Sequence, residues 1–306
     1  MNGHVPVLLN EAIDFLAVKP GGTYIDATVG LGGHSFEITR RLGARGRLIG
    51  LDKDPRALER ARERLQAQQP DWPEVKLVHS SFARVSELVE PNSADGLLAD
   101  LGVSSLQFGD ARRGFSFQAD APLDMRMDPT SGITAEQVVN QLDENTLADL
   151  IYEFGEERRS RRIARAIVRS RPIRSTKQLA EIVAAAGRPM KEHPTAGKTG
   201  PRPGTRLERI HPATRTFQAL RIYVNRELED LRVLLREAPR VLRPGGRLVI
   251  ISFHSLEDRI VKDAFREGAR AGTYRALTRK PVMPGAEEIE RNPRSRSAKL
   301  RAVEKA

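Results

Sequence analysis

The stretch Asp26-Ala27-Thr28-Val29-Gly30-Leu31-Gly32-Gly33-His34-Ser35 decides the fold. Ahead of it, Pro20-Gly21-Gly22 turns the chain into an apolar run, Thr23–Ala27, with the character of a strand. Behind it, Ser35 to Leu42 has helical spacing. A glycine loop between a strand and a helix lets the backbone approach a ligand closely, because Gly30, Gly32 and Gly33 carry no Cβ. Asp52 closes the next predicted strand, Arg47–Leu51, where a carboxylate can accept both ribose hydroxyls of an adenosine-containing cofactor. The loop does not complete G-x-G-x-x-G, since Ser35 holds the last position. Asp26 at its head suits a methionine ammonium group better than a pyrophosphate. These features favour S-adenosylmethionine over a dinucleotide.

Outward from the loop, strands and helices alternate. Asn10 is placed to cap a short helix through Leu16. Asp54-Pro55 is placed to start a helix in which Leu58, Ala61 and Leu65 share a face. Further strands read at Val75–His79 and Gly96–Leu101. This alternation predicts a parallel α/β sheet. The rhythm stops after Leu101, and 102–130 is rich in Gly, Ser, Asp and Pro. From Thr134 to Gly187 the pattern is helical, opened by a Thr134/Gln137 capping box, with Gly155 and Gly187 at expected helix ends. The basic, proline-rich stretch 188–212 reads as an exposed linker. A long helix is then expected over Ala213–Leu235. After it come a tight turn at Leu242–Arg247, the apolar strand Leu248–Phe253 and a helix over Leu256–Phe265. The basic end, Arg291–Ala306, is expected to be mobile or to contact RNA. The organisation expected is therefore a core in two parts, 1–130 and 209–306, interrupted by a helical insertion with its linker, 131–208.

Lys and Arg exceed Asp and Glu by 51 to 40, and the excess is uneven. Residues 1–100 hold 12 basic and 14 acidic residues, leaving 39 and 26 for the remainder. A basic later part suits a polyanionic partner. Cysteine is absent, which excludes a thiolate nucleophile, a cysteine-held cluster and a cysteine zinc site. No metal is expected. No run approaches the roughly 18 apolar residues of a membrane helix, and the N-terminus lacks a charged leader, so a soluble cytoplasmic chain is expected. Gly197-Lys198-Thr199 imitates the end of a phosphate-binding loop, but Glu192 stands where its first glycine is required.

Longer strings are more specific. HVPVLLNEAI at His4–Ile13, GLGGHS at Gly30–Ser35, DLGVSS at Asp100–Ser105, RGFSF at Arg113–Phe117 and PLDMRMD at Pro122–Asp128 are unusual. So are GEER at Gly155–Arg158, HPATRTFQALRI at His211–Ile222 and ISFHSLEDRIVK at Ile251–Lys262. Through them the chain resembles the RsmH/MraW bacterial methyltransferases, nearly end to end. The resemblance implies a Rossmann-like class I methyltransferase sheet carrying an inserted all-helical domain. It implies S-adenosyl-L-methionine as cofactor and N4 of a decoding-centre cytosine in small-subunit ribosomal RNA as target, within the assembled small subunit. It also implies that Gly32, Gly33 and His34 line the methionine end and ribose, that Asp52 holds the ribose hydroxyls, and that Phe82 flanks adenine. Asp100 and Gln107 would complete that pocket.

The string Asp100-Leu101-Gly102-Val103 departs from the Asp/Asn-Pro-Pro-aromatic string of many amino-methylating enzymes, so no catalytic residue is assigned. Ser104 and Ser105, with Asp100, are expected to face the target base, and Asp124, Arg126 or His254 to hold the RNA. Eight arginines between Arg158 and Arg174, with no acid among them, suggest a phosphate-facing surface. Other readings are a methyltransferase on another RNA or protein, a non-catalytic RNA-binding assembly protein, and a nucleotide-cofactor oxidoreductase.

Overall fold

The computed structural model describes residues 6–65, 71–187 and 211–306. Most of the proline-rich stretch, with Gly197-Lys198-Thr199, lies outside them. The chain divides into two compact units, residues 1–106 with 227–306, and residues 107–226.

The first unit is a doubly wound, Rossmann-like α/β sheet. Its parallel strands are β1 (Thr23–Asp26), β2 (Arg47–Asp52), β3 (Glu74–His79), β4 (Ala94–Asp100) and β5 (Leu242–Ser252). With β6 (Tyr274–Ala276) and the antiparallel β7 (Lys299–Lys305) the order is β3-β2-β1-β4-β5-β7-β6. The central strands read as apolar runs because both faces are covered. Leu97, Ala99, Leu248 and Ile250 face one core with Leu231, Leu234 and Phe265. Their neighbours Leu98, Val249 and Ile251 face the other with Ile13, Ile38 and Leu58. Period-two alternation thus feeds two cores at once. The covering helices are α1 (Leu9–Leu16), α2 (Gly33–Leu42), α3 (Pro55–Leu65) and the short α4 (Val85–Leu88). After β4 comes α5 (Ser105–Gly109), which runs across the boundary between the units.

The second unit contains α6 (Ala135–Gln141), α7 (Glu144–Gly155), α8 (Ser160–Arg169), α9 (Thr176–Gly187) and α10 (Thr214–Asn225). The Thr134/Gln137 capping box is present, and Gly155 and Gly187 close their helices. A Cβ at Gly155 would meet the Arg215 carbonyl at 2.7 Å, so glycine there allows α7 to approach α10. The chain returns to the first unit through α11 (Glu227–Val241), and α12 (Ser255–Arg270) and α13 (Ala286–Arg291) follow β5 and β6.

Several expectations are corrected. Asn10 lies inside α1. The helix starts two residues earlier, at a left-handed Leu8 (φ 51°) whose side chain is fully buried, so core packing rather than a polar cap sets the entry. The long helix Ala213–Leu235 is two helices, broken at Arg226 with φ 53°. Asn225 fixes that break: its amide nitrogen donates to the Met125 carbonyl at 2.8 Å, and its oxygen accepts the Met127 N–H at 2.6 Å. The expected turn at Leu242–Arg247 is an excursion within β5. Ala94 pairs Leu242 and Gly96 pairs Arg247, so Arg243–Gly246 leave the ladder opposite Asp95, which pairs with Arg243. The basic C-terminus is not a free tail. Leu300, Ala302 and Val303 are buried and carry β7 into the sheet between β5 and β6.

The unit boundaries fall at 106/107 and 226/227, whereas composition placed them at 130/131 and 208/209. The segment before Thr134 is held to the helices of its unit through Thr176 of α9, whose Oγ1 donates to the Ala119 carbonyl at 2.8 Å and accepts the Ala121 N–H at 3.1 Å.

Candidate cofactor and substrate site

The carboxyl ends of β1, β2 and β4 carry the glycine loop and its acids. Gly30 (φ 52°) and Gly32 (φ 73°) occupy left-handed conformations that a side chain would strain. The two later glycines also pack closely: a Cβ at Gly32 would lie 3.4 Å from Ala61 of α3, and one at Gly33 would collide with Pro6. At Gly30 the nearest atoms stand 3.9 Å away, Ser104 Cβ among them, so the loop is open on that side.

Asp26 sits beneath the loop, 1% exposed, and braces it. Its carboxylate accepts the Ser35 hydroxyl at 2.5 Å and the Thr28 N–H at 3.1 Å. Burial raises its pKa to about 6, against those two hydrogen bonds. Asp52 accepts the Gly30 N–H at 2.7 Å and the Asp54 N–H at 2.8 Å, which ties the loop to the end of β2. Burial raises it to about 6 as well, with the Asp54 and Asp26 charges adding to the rise. A carboxylate has about four acceptor positions, so capacity remains for ribose hydroxyls.

Asp100 closes β4, its N–H donating to Thr28 Oγ1 at 2.6 Å. Its Oδ1 is buried and accepts nothing among the described residues. Burial first, then the charges of Asp26 and Glu257, push its pKa well above the ordinary carboxylate range. His34 stands beside it, Nδ1 3.7 Å from Asp100 Oδ2. Its Nε2 lies 3.1 Å from the Val7 carbonyl. A carbonyl only accepts, so Nε2 carries a proton, and Nδ1 is the ring nitrogen that faces Asp100. The loop thus brings Gly30, His34, Asp52, Asp100 and Ser104 to one sheet edge. Asp26, which the sequence reading sets against a methionine ammonium group, is instead buried and engaged by Ser35 and Thr28; that brace was not legible, because a buried Asp–Ser bond nine residues apart leaves no periodic trace.

The remaining candidates are more dispersed. Phe82 follows β3 on a single 3-10 turn, Phe82–Arg84, and is partly buried against the core. Ser105 Oγ accepts Arg294 Nη1 at 3.3 Å. Gln107, Asp124 and Arg126 belong to the second unit, where Gln107 is buried. Arg126 donates twice to Asp124, at 2.7 and 2.9 Å, across a left-handed Met125 (φ 61°). Burial would raise the Asp124 pKa, but these bonds from Arg126 lower it below the ordinary value.

His254 caps α12, its Nδ1 accepting the Glu257 N–H at 3.4 Å in a capping box. Its side chain is 10% exposed, and its Nε2 lies 3.2 Å from Glu257 Oε1. Glu227, His254 and Glu257 converge to within 4.8 Å, a spacing that suits a metal ion. The cap argues for hydrogen bonding instead. Nδ1 uses its lone pair on a backbone N–H, so Nε2 holds the proton that a metal would have to displace.

Among the eight clustered arginines, several are engaged within the chain. Arg165 pairs with Glu144 at 3.1 Å, Arg159 bonds the Gly187 carbonyl, and Arg171 bonds the carbonyls of Val139 and Leu142. Arg158, Arg161, Arg162, Arg169 and Arg174 are exposed. No helix among the described residues is long and apolar enough to cross a membrane.

The MraW methylase family matches residues 1–306. The chain is 62% identical over 305 residues to ribosomal RNA small subunit methyltransferase H of Koribacter versatilis, covering 98% of this chain and 93% of that protein. It is 61% identical over 306 residues to the protein of the same name from Acidobacterium capsulatum, covering 99% and 98%. An rRNA methylase structure from Streptococcus thermophilus aligns over 99% of both chains at 12% identity and a TM-score of 0.41. The whole-chain match, together with the identities to these two relatives, places the chain in the MraW methylase family.

Proposed function

We propose that the chain transfers the methyl group of S-adenosylmethionine to N4 of a decoding-centre cytosine in small-subunit ribosomal RNA, within the assembled subunit. The observation that carries the cofactor reading is the acidic sheet edge. Asp100 offers a buried acceptor with no partner among the described residues, beside Asp26 and Asp52, whose negative charge burial disfavours. A cationic ligand offsets that cost, and S-adenosylmethionine brings a sulfonium and an ammonium. The small-subunit RNA target is supported by the names of the two relatives. The N4 position comes from the family resemblance of the sequence strings.

In this reading Asp52 takes the ribose hydroxyls and Phe82 flanks adenine. Gly32, Gly33 and His34 line the methionine end, the glycines through their backbone because their α-carbons face Ala61 and Pro6. Asp100 completes the pocket in the first unit, and Gln107, which the resemblance adds to it, belongs to the second unit. The bound cofactor supplies a methyl group already activated by positive sulfur, which leaves the protein with positioning and electrostatics. A cytosine amino nitrogen is a weak nucleophile because its lone pair is delocalised into the ring. As the N4–methyl bond forms and the sulfur–methyl bond breaks, N4 sheds a proton, and an acceptor beside it eases the step. Asp100, with its raised proton affinity, and the Ser104–Ser105 loop face the base. Asp124, Arg126 and His254 hold RNA, and the exposed arginines of the second unit meet phosphates.

The test is transfer of labelled methyl from S-adenosylmethionine to isolated small subunits, with naked small-subunit RNA alongside. Label in the subunit's RNA is expected. A chain that binds S-adenosylhomocysteine yet labels neither substrate would overturn the RNA reading and leave the cofactor reading intact.

A further inference from the structure

The two walls assigned to the adenosine end belong to different segments, Asp52 to the end of β2 and Phe82 to the 3-10 turn after β3. They share a bracing residue from a distant part of the chain. Strands β2 and β3 run in parallel with Asp52 opposite His79. Their ends are tied directly: the Ser80 N–H donates to the Asp52 carbonyl at 3.0 Å, and His79 Nε2 lies 2.9 Å from the Lys53 carbonyl. Beyond those ties, each wall continues into a side chain that reaches one carboxylate. Lys53, the residue after Asp52, places its ammonium 2.7 Å from Asp230 Oδ2. Ser81, the residue before Phe82, donates its hydroxyl to the same oxygen at 2.6 Å.

Ser81 has a second task. Its Oγ accepts the Ala83 N–H at 3.1 Å and so caps the 3-10 turn that carries Phe82. Donating to Asp230 fixes the hydroxyl proton and aims the oxygen lone pair at that N–H. The Asp230 and Lys53 side chains are 14% and 20% exposed, so the pair is shielded from most solvent screening. Charge-assisted hydrogen bonds in such a setting are shorter and stronger than neutral ones. Asp230 itself lies in the first turn of α11, after the whole second unit in sequence.

We infer that Asp230 is a positioning residue for the adenosine end of the cofactor, holding the Asp52 wall and the Phe82 wall at a fixed separation through Lys53 and Ser81. The inference rests on the cofactor reading above. It assigns Asp230 no contact with the reacting atoms.

The experiment uses the full chain and two probes, S-adenosylhomocysteine and adenosine, titrated by calorimetry against the parent, Asp230→Ala and Ser81→Ala. Asp230→Ala should weaken both probes by the same factor, about tenfold. It should raise the KM for S-adenosylmethionine to match, with kcat at saturating cofactor within about twofold of the parent. Ser81→Ala should reproduce part of the loss, and the double variant should be no worse than Asp230→Ala, because both act through one linkage. Asp230→Glu should recover much of the affinity. Should Asp230→Ala fail to fold, Ser81→Ala carries the same test by itself. Unchanged affinity in the variants, or a loss of kcat with KM untouched, overturns the inference. Failure of the parent chain to bind S-adenosylhomocysteine overturns the cofactor reading and this inference with it.

Discussion

Burial pushes the Asp26 and Asp52 carboxyls up to about 6, above the ordinary aspartate range. A carboxyl whose pKa is raised in the folded state contributes stability below its unfolded pKa, and that contribution is lost as pH rises through the folded value. These two groups therefore favour the cofactor-free chain at pH 5 over pH 7.5. A cationic ligand prefers the ionised forms. Thermal melts should show a larger stabilisation by S-adenosylmethionine than by S-adenosylhomocysteine at pH 7.5, with the gap shrinking at pH 5. A gap independent of pH would contradict the electrostatic account. Asp52→Ala removes the proposed ribose acceptor and the anchor for the Gly30 and Asp54 N–H groups together. Cofactor affinity should fall at least tenfold, measured by calorimetry, since hydrogen bonds to a charged group contribute about 1.5–3 kcal/mol.

Helix ends and strand ends set the scaffold, and they can be tested without touching the site. Thr134→Ala should cost about 1 kcal/mol of stability through loss of the α6 cap, with cofactor affinity unchanged. Asn225→Ala should cost more, about 1–3 kcal/mol, because it leaves the Met127 N–H and Met125 carbonyl without their partner at the break between α10 and α11. Urea denaturation reads both. The cap was legible in the sequence because a capping box lies within four consecutive residues. The break was not, because Arg226 adopts a left-handed conformation with no glycine to announce it, and the bonds that impose it come from residues nearly one hundred positions away. Strand β7 was missed for a similar reason. Its alternation of Leu300, Arg301 and Ala302 sits among basic residues, and only burial of Arg301 against Asp258, at 2.7 Å, makes that charge compatible with a sheet.

At the scale of the molecule, the sequence disclosed the site's parts unequally. The glycine loop and Asp52 are contiguous or one strand apart, so spacing alone proposes them together. Asp230 is separated from Lys53 and Ser81 by the inserted unit, and only the folded chain brings the three together. The arginine cluster was legible as charge but not as geometry: Arg159, Arg165 and Arg171 are engaged within the unit, while Arg158, Arg161 and Arg169 are exposed. Replacing those three exposed arginines with glutamine should weaken RNA binding and flatten its salt dependence by up to about one unit of slope per lost phosphate contact. Fluorescence anisotropy across a salt series reads this, and an unchanged slope would remove the phosphate-facing role.

The most direct measurement is mass spectrometry of small-subunit ribosomal RNA from cells with and without this chain. One decoding-centre cytosine is expected to carry a methyl group on its exocyclic nitrogen only when the chain is present, with the modification restored by the parent gene and not by Asp52→Ala. An identical cytosine methylation pattern in both RNAs would contradict it.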